Sequence, residues 1–326
     1  MGDPGDPAPP PPPAGRSVRP LISVLMPCYN TARYLPQAID SVLTQTVQDF
    51  EVILLNDGST DQTEAVFRDY QQRDGRIRTR TRENRGLVET RNELLTMAGG
   101  QYLAWHDSDD TMAPQRLEWQ LARMQEDPSL VWIGGACTLT DPDGLPIRSH
   151  GFPCDHNGIC ARMKDEFGCY FGSTLMRHDV VKQLGGFRKP FSVCEDFDLC
   201  LRMAERGTVA NVPEVVLFYR QHMGSACNST RSKLAGYAQL ARALAAERGS
   251  RPDKTDRLER GEPVALDFAE GDRVVDPCVQ THRRWGWWAL ADGHLKTARK
   301  YARHALREAP LEMESWKLMA CALRGH

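Results

Sequence analysis

Apolar and polar stretches alternate in a regular order from residue 21 onward. Leu21 to Met26, apolar but for Ser23 and stopped by Pro27, reads as a buried strand. Leu35, Ala38, Ile39, Val42 and Leu43 then recur at helical spacing, with Asn30 or Thr31 positioned to cap that helix. Phe50 to Leu55 predicts a second buried strand. Asn56-Asp57-Gly58-Ser59 turns the chain out of it, and Ser59 with Gln62 predicts a capping box for the next helix. Ile77 to Arg80 predicts a more exposed strand. Leu87, Arg91, Leu94, Leu95 and Ala98 share one helical face, ended by Gly99-Gly100. Tyr102 to Trp105 predicts a further strand, and Pro114 opens a helix through Leu117, Leu121 and Met124.

Past Leu130 to Ile133 the pattern loosens. Residues 139 to 170, rich in Gly, Pro, Asp and His, predict a long excursion of the functional or mobile kind. Ser173 to Met176 predicts a strand, and Val180 to Leu184 a short helix ended by Gly185-Gly186. Phe197 to Arg206 predicts a helix opened by Glu195-Asp196. Val209 to Val212 and Val215 to Phe218 predict two short strands, with Tyr219-Arg220-Gln221-His222 leaving the second. Leu234 to Ala246 is Ala- and Leu-rich and helical, 248 to 264 reads as a charged linker, and Trp285 to Leu323 as a helical pair. The spacing of small residues in that pair resembles a tetratricopeptide unit, which cannot bury its own face and must pack on the main domain or on a partner.

Strand–helix alternation of this kind predicts an α/β fold, a mostly parallel sheet sandwiched by helices, with a small C-terminal helical extension. Ligands of such sheets sit beyond the carboxyl ends of the strands. Asp57 and Asp107 each directly follow a predicted strand, which places two polar turns on one rim. The second turn, Asp107-Ser108-Asp109-Asp110, carries three acids in four positions at the end of a buried strand. Clustered carboxylates there repel one another and lose hydration unless a cation offsets them. A divalent metal carrying a diphosphate would do so; the structural alternative is an acidic turn capping the helix near Pro114.

Composition narrows the picture. Of the 326 residues, 41 are basic and 43 acidic, a net charge of -2 with no basic block, which argues against a nucleic-acid partner. No apolar run is long enough to span a bilayer, and no secretory leader is expected at the N-terminus. The ten cysteines form no C-x-x-C pair, consistent with reduced thiols in a cytoplasmic protein. The first 19 residues, with the run Pro9 to Pro13, predict a disordered tail. Residues 20–228 form the main domain, with halves at about 20–135 and 136–228, and 229–326 form the helical extension.

In order, Val24-Leu25-Met26-Pro27-Cys28-Tyr29-Asn30, Ser41-Val42-Leu43-Thr44-Gln45-Thr46, Phe50 to Asp61, Asn84-Arg85-Gly86, Arg91-Asn92, Asp107-Ser108-Asp109-Asp110 with Pro114, Gly185-Gly186-Phe187, Glu195-Asp196-Phe197-Asp198-Leu199 and Tyr219-Arg220-Gln221-His222 resemble the motif series of family 2 inverting glycosyltransferases with the GT-A fold. The resemblance covers roughly residues 21 to 225. It implies transfer of a sugar from a nucleoside diphosphate, a UDP-sugar by expectation, to an acceptor hydroxyl with inversion.

The residue roles it implies are these. Pro27 and Tyr29 bound the nucleotide base with Asn30 beside them, and Asp57 accepts a hydrogen bond from the base. Asp107 and Asp109 form the D-x-D element for ribose and for Mg2+ or Mn2+ with diphosphate. Asp196 is the general base. Arg91 and His222 lie near the diphosphate or metal, His222 as a further metal ligand. The family usually has two acids before the turn glycine, and Asn56 replaces the first. A polysaccharide or glycolipid acceptor, peripheral association with the inner face of a membrane and a protein partner for the C-terminal helices complete the expectation. Two other readings compete. A sugar-nucleotide nucleotidyltransferase would need a Gly-rich, basic loop after the first strand, which Pro27-Cys28-Tyr29-Asn30 is not. An inactive sugar-nucleotide-binding adaptor is disfavoured by intact Asp109 and Asp196.

Several of these residues have a purely structural alternative. Tyr29 could cap the core, Asp57 bond its own turn, Asp196 cap a helix and Arg91 pair with Glu89. His222 and His106 read equally as ordinary histidines, and the Trp285-Trp287-Trp288 cluster as core packing.

Overall fold

A computed structural model describes residues 19–224, 231–264 and 278–326. The expected tail therefore lies, but for Arg19, outside the described residues. Four parallel strands form the first half of a nine-stranded sheet. They are β1 (Ile22–Cys28), β2 (Phe50–Asp57), β3 (Ile77–Arg82) and β4 (Tyr102–Trp105). Between them run α1 (Leu35–Leu43), α2 (Thr63–Arg73) and α3 (Leu87–Met97). The second half adds β5 (Thr111–Met112), α4 (Arg116–Glu126), β6 (Leu130–Thr140), β7 (Pro146–His150), α5 (His156–Met163), β8 (Leu175–Arg177), α6 (His178–Gln183), α7 (Glu195–Ala204) and β9 (Thr208–Arg220). The sheet order is β3-β2-β1-β4-β8-β6-β9-β5, with β7 also on β6.

Alternation along the strands assigns side chains to two cores, one on each face of the sheet. Val24, Met26, Val52 and Leu54 join Ile39, Val42 and Phe67 on one face. Leu25, Ile53, Leu55 and Trp105 join Leu94, Phe187 and Phe197 on the other. β3 reads Ile-Arg-Thr-Arg-Thr-Arg and is only partly buried, as suits an edge strand.

Several sequence expectations need correction. Neither Asn30 nor Thr31 caps α1 with its side chain: the Thr31 carbonyl accepts from the amides of Tyr34 and Leu35, and Asn30 takes a left-handed φ of 54°. The capping box of Ser59 and Gln62 does not form. Ser59 Oγ instead accepts from the Asn30 amide at 2.8 Å, and Asp61 accepts from the Thr63 amide at 3.0 Å. α4 starts at Arg116, two residues past Pro114. The excursion expected over 139–170 contains ordered pieces, because β6 continues through Thr140 and β7 and α5 follow. The strand expected over Ser173 to Met176 starts only at Leu175, as β8, because Phe171–Ser173 forms a 3-10 turn. The two strands expected around Pro213 are one strand, β9, that shifts register against Gly135 to Cys137. A bulge accommodates a proline that has no N–H to give the ladder.

Among the described residues the C-terminal part has four helices: α8 (Arg231–Ser250), α9 (Cys278–Ala291), α10 (Leu295–Glu308) and α11 (Met313–Arg324). The expected pair is thus three helices after residue 278. Tyr237, Ala238, Ala241 and Leu244 of α8 enter one core, and Trp285 and Tyr301 the other. The charged stretch after α8 is pinned to the body. Asp256 is fully buried against Arg248 and Arg188, and Arg188 in turn pairs with Asp198 on α7. No helix among the described residues is long and apolar enough to cross a membrane.

Candidate active site

The carboxyl ends of β1, β2, β4 and β9 form one rim, and the family-like motifs meet there through contacts between one another. Ser41 Oγ accepts from the Met112 amide at 3.1 Å, while Gln45 donates to the Ala113 carbonyl at 2.7 Å and accepts from the Leu117 amide at 3.0 Å. The Ser41-to-Thr46 motif therefore clamps the loop behind the acidic turn. Asn92 donates to the Phe187 carbonyl and accepts from its amide, both at 2.9 Å, which joins α3 to the Gly185-Gly186-Phe187 loop.

Asp57 ends β2 and is buried. It accepts from the amides of Arg85 and Gly86, each at 2.9 Å, and from the Arg82 guanidinium. Gly58, the residue after it, has φ +72°, and a Cβ there would stand 2.6 Å from the Asn84 amide nitrogen. Only glycine fits both demands. On the strand before it, Tyr29 is half exposed rather than a core cap, and Asn30 Oδ1 accepts from the Thr60 amide at 2.8 Å.

The acidic turn is arranged differently. Asp109 Oδ2 lies 2.9 Å from His222 Nε2, and both side chains are partly exposed. Asp110 is buried; one oxygen accepts from the Arg220 amide at 2.7 Å, and the other has no partner among the described residues. Removal from water, then the charges of Asp109 and Asp107, hold its carboxyl well above the usual range. Asp107, a third exposed and otherwise enclosed by protein, is pushed up to about 6, by desolvation first and by Asp109 and Asp196 after it. Gly172 closes over it: a Cβ there would sit 2.9 Å from Asp107 Oδ2. Beneath the turn Arg116 is fully buried, donating to the carbonyls of Trp105 and Thr174 at 2.9 and 3.1 Å. Burial pulls its guanidinium down to about 9, against the charges of Asp107 and Asp110. His106 is buried and is held neutral by that burial, with the charge of Arg116 acting the same way.

Arg91 joins this turn to α7. Its guanidinium lies 2.6 Å from Glu195, 3.7 Å from Asp196 and 3.9 Å from Asp107, and stacks over Phe171 with its centre 4.6 Å from the ring. It does not pair with Glu89, which binds Lys189 at 2.8 Å instead. Asp196 opens α7 and accepts from the Phe197 amide at 2.7 Å; Cys194 before the helix is left-handed, with φ 61°. Asp196 also lines a cavity of about 30 Å³ with Phe171, Phe197 and Cys200, which is room for about one water. Glu195 is buried and its carboxyl is raised to about 7, because desolvation outweighs the pull of Arg91.

The Asp109 carboxylate and the His222 imidazole thus meet, and the Asp107 carboxyl, which feels the charge of Asp109, stands two residues away on the same turn, where negative charge is in surplus. That donor set fits a hard divalent ion such as Mg2+ or Mn2+. The profile of glycosyl transferase family 2 matches residues 23–185, the stretch that holds the turns after β1, β2 and β4. The chain belongs to glycosyl transferase family 2. A Haemophilus influenzae relative described as an uncharacterized glycosyltransferase is 27% identical over 213 residues, which are 62% of this chain and 66% of that protein. The chondroitin synthase of Pasteurella multocida is 36% identical over 199 residues, 60% of this chain but 20% of the synthase. The chain therefore spans less than two thirds of these relatives. Among solved structures, S. aureus TarS 1-349 in complex with UDP-GlcNAc aligns with a TM-score of 0.55 at 16% identity, covering 93% of this chain and 79% of that one. The Pyrobaculum calidifontis mannosyltransferase PcManGT in complex with GDP-Man and Mn2+ aligns with a TM-score of 0.54 at 18% identity, covering 99% and 89%. These likenesses fix the fold as GT-A-like.

Four residues of the rim had no role in the sequence reading. Glu195, Asp110 and Arg220 stood inside quoted motifs. Arg116 had one signal: with Gln120 it falls on the helix face of Leu117, Leu121 and Met124, where a solvated arginine does not belong.

Proposed function

We propose that this family member transfers a sugar from a nucleoside-diphosphate donor to an acceptor hydroxyl with inversion at the anomeric carbon. The observation that carries the reading is Arg91, whose one guanidinium reaches both the Asp107 end of the acidic turn and the Glu195-Asp196 pair. Donor-side and acceptor-side acids thereby share one space. In this reading Pro27, Tyr29 and Asn30 border the nucleoside. Asp57, with three donors already on its two oxygens, keeps capacity for one more from the base. Asp107, Asp109 and His222 would hold Mg2+ or Mn2+, which when bound supplies positive charge to a leaving diphosphate. Asp196 takes the proton of the acceptor hydroxyl as that oxygen attacks. Arg91 keeps Asp196 oriented and draws off part of the charge of Asp107.

The donors named for the aligned structures, UDP-GlcNAc and GDP-Man, make a hexose or N-acetylhexosamine donor the first to try. A polysaccharide or glycolipid acceptor fits the Pasteurella relative, and a cytoplasmic enzyme resting on a membrane face would meet such acceptors. The test is a panel of nucleotide sugars scored for release of nucleoside diphosphate, with Asp196→Asn beside the native chain. Turnover of the active donor should fall by about 10²–10⁴-fold while donor affinity stays within about threefold. Near-native turnover in the variant would remove Asp196 as the base. Consumption of a nucleoside triphosphate in place of the sugar nucleotide would favour a nucleotidyltransferase.

A further inference from the structure

Away from the rim, α9 and α10 bring together a second set of ligating side chains. Cys278 and His282 stand four apart on α9; His304 and Glu308 stand four apart on α10. Residues four apart share a helix face, so each helix offers a two-donor face. The two faces meet: His282 Nδ1 lies 3.0 Å from Glu308 Oε2, and the rings of His282 and His304 are 5.1 Å apart. The donor atoms of Cys278, His282 and Glu308 all lie within 4.8 Å of one another.

We propose that Cys278, His282, His304 and Glu308 bind one divalent cation of the zinc class across α9 and α10. One thiolate, two imidazoles and one carboxylate are the donors a tetrahedral zinc takes. Bonds of about 2.0–2.3 Å at tetrahedral angles place donors roughly 3.5 Å apart, so Cys278, His282 and Glu308 must close by about 1 Å or slightly more, and His304, outside their 4.8 Å set, must swing in from beside His282. Cys278 is exposed at the first turn of α9 and can rotate to do so. The thiolate separates this site from the rim, whose oxygen-rich donors suit Mg2+ or Mn2+.

The backbone around the cluster is already fixed. Trp285 and Tyr301, both buried, meet edge to face at 5.2 Å. Tyr301 also donates to Asp141 at 3.0 Å in the turn after β6, and Lys300 reaches Asp143 at 2.7 Å. An ion there staples the helix pair whose other contacts seat it on the catalytic body.

The experiment is a Co2+ titration of the full chain, reduced and stripped of metal by chelation. Expected is a near-ultraviolet thiolate-to-cobalt absorption with intense visible bands of tetrahedral cobalt, saturating at one equivalent and displaced by Zn2+. Asp109→Ala should retain this spectrum, and Cys278→Ser should lose it. Zn2+ should raise the melting temperature of the native chain and leave that of Cys278→Ser unmoved; the exposed position makes this variant safe for folding. Absence of a thiolate band in the native chain overturns the proposal. So does a band of undiminished strength in Cys278→Ser, which would assign the metal to another thiol such as Cys160, 3.6 Å from His156 Nε2.

Discussion

The two polar turns on the rim are built from the same residue types and end in opposite electrostatic states. At the end of β2, Asp57 faces two backbone amides and a buried arginine, and every donor around it has found an oxygen. At the end of β4, three carboxylates share one turn with Arg91, Arg116 and Arg220 nearby. Two of the three carboxyls are nevertheless raised, and one oxygen of Asp110 has no partner among the described residues. A satisfied carboxylate stabilises the fold by itself, whereas an unsatisfied cluster costs stability until a ligand arrives. In the proposed reading, the difference separates a turn that shapes the rim from one that would bind a cation there.

The sharpest way to break the comparison is Asp109→Ala. If the acidic turn is a cation site, metal-dependent affinity for nucleoside diphosphate should fall more than about 100-fold, beyond what an outer-shell change costs. Thermal stability without metal should hold or rise, because a like charge beside Asp107 and Asp110 is gone and the lost pair with His222 is partly exposed. Calorimetry with Mn2+ and nucleotide, paired with thermal melts, reads both. Unchanged affinity, or a marked loss of stability, would make this turn as structural as the first.

Asp57→Ala asks the converse. It strips the Arg85 and Gly86 amides of their acceptor and leaves Arg82 with Glu93 as its remaining carboxylate partner. Losing one side of a buried ion pair together with two tethers should cost about 3 kcal/mol in urea unfolding. Arg82→Lys, which keeps the charge but loses the fork, should cost less. If Asp57→Ala leaves stability within about 0.5 kcal/mol, the turn is not held as the contacts imply.

Much of the architecture could be read from periodicity, because strands buried on both faces and amphipathic helices write period and length directly into residues 21 to 126. What failed was local. The chain entering α1 is set by contacts in which Asn30, Ala32, Ser59, Thr60 and Asp61 bond across 29 residues or more, which no local cap rule reaches, and α2 takes its local cap from Asp61 rather than Ser59. The long excursion was misread because Thr138, Ser149 and Arg148 look like loop residues until β6 and β7 pair them. The linker after α8 was misread because Asp256 and Arg248 are charged, and charge predicts solvent unless the partners, Arg188 and Glu205, are known. At the rim, sequence placed Asp107, Asp109 and Asp196 at strand and helix ends, but only the fold reveals Arg91 between them, since Arg91 and Glu195 lie 104 residues apart.

The smallest expected effect concerns whether the surplus of negative charge extends from the acidic turn to α7. Glu195 holds its proton up to about 7 in the folded chain against an ordinary 4.5. Between those values the folded state keeps a proton that the unfolded state releases, so stability falls as pH rises across the window. Asp107, raised to about 6, adds to the same slope in the native chain and in a Glu195 variant alike, and so largely cancels from the difference. Glu195→Gln keeps the shape and the link to Arg91 but cannot ionise. Urea unfolding at pH 4.5, 6 and 7.5, without metal, should show the native chain losing on the order of 1–2 kcal/mol more than the variant. Parallel curves would mean that Arg91 fully compensates Glu195, leaving α7 as settled as the Asp57 turn and confining the uncompensated charge to Asp107 through Asp110.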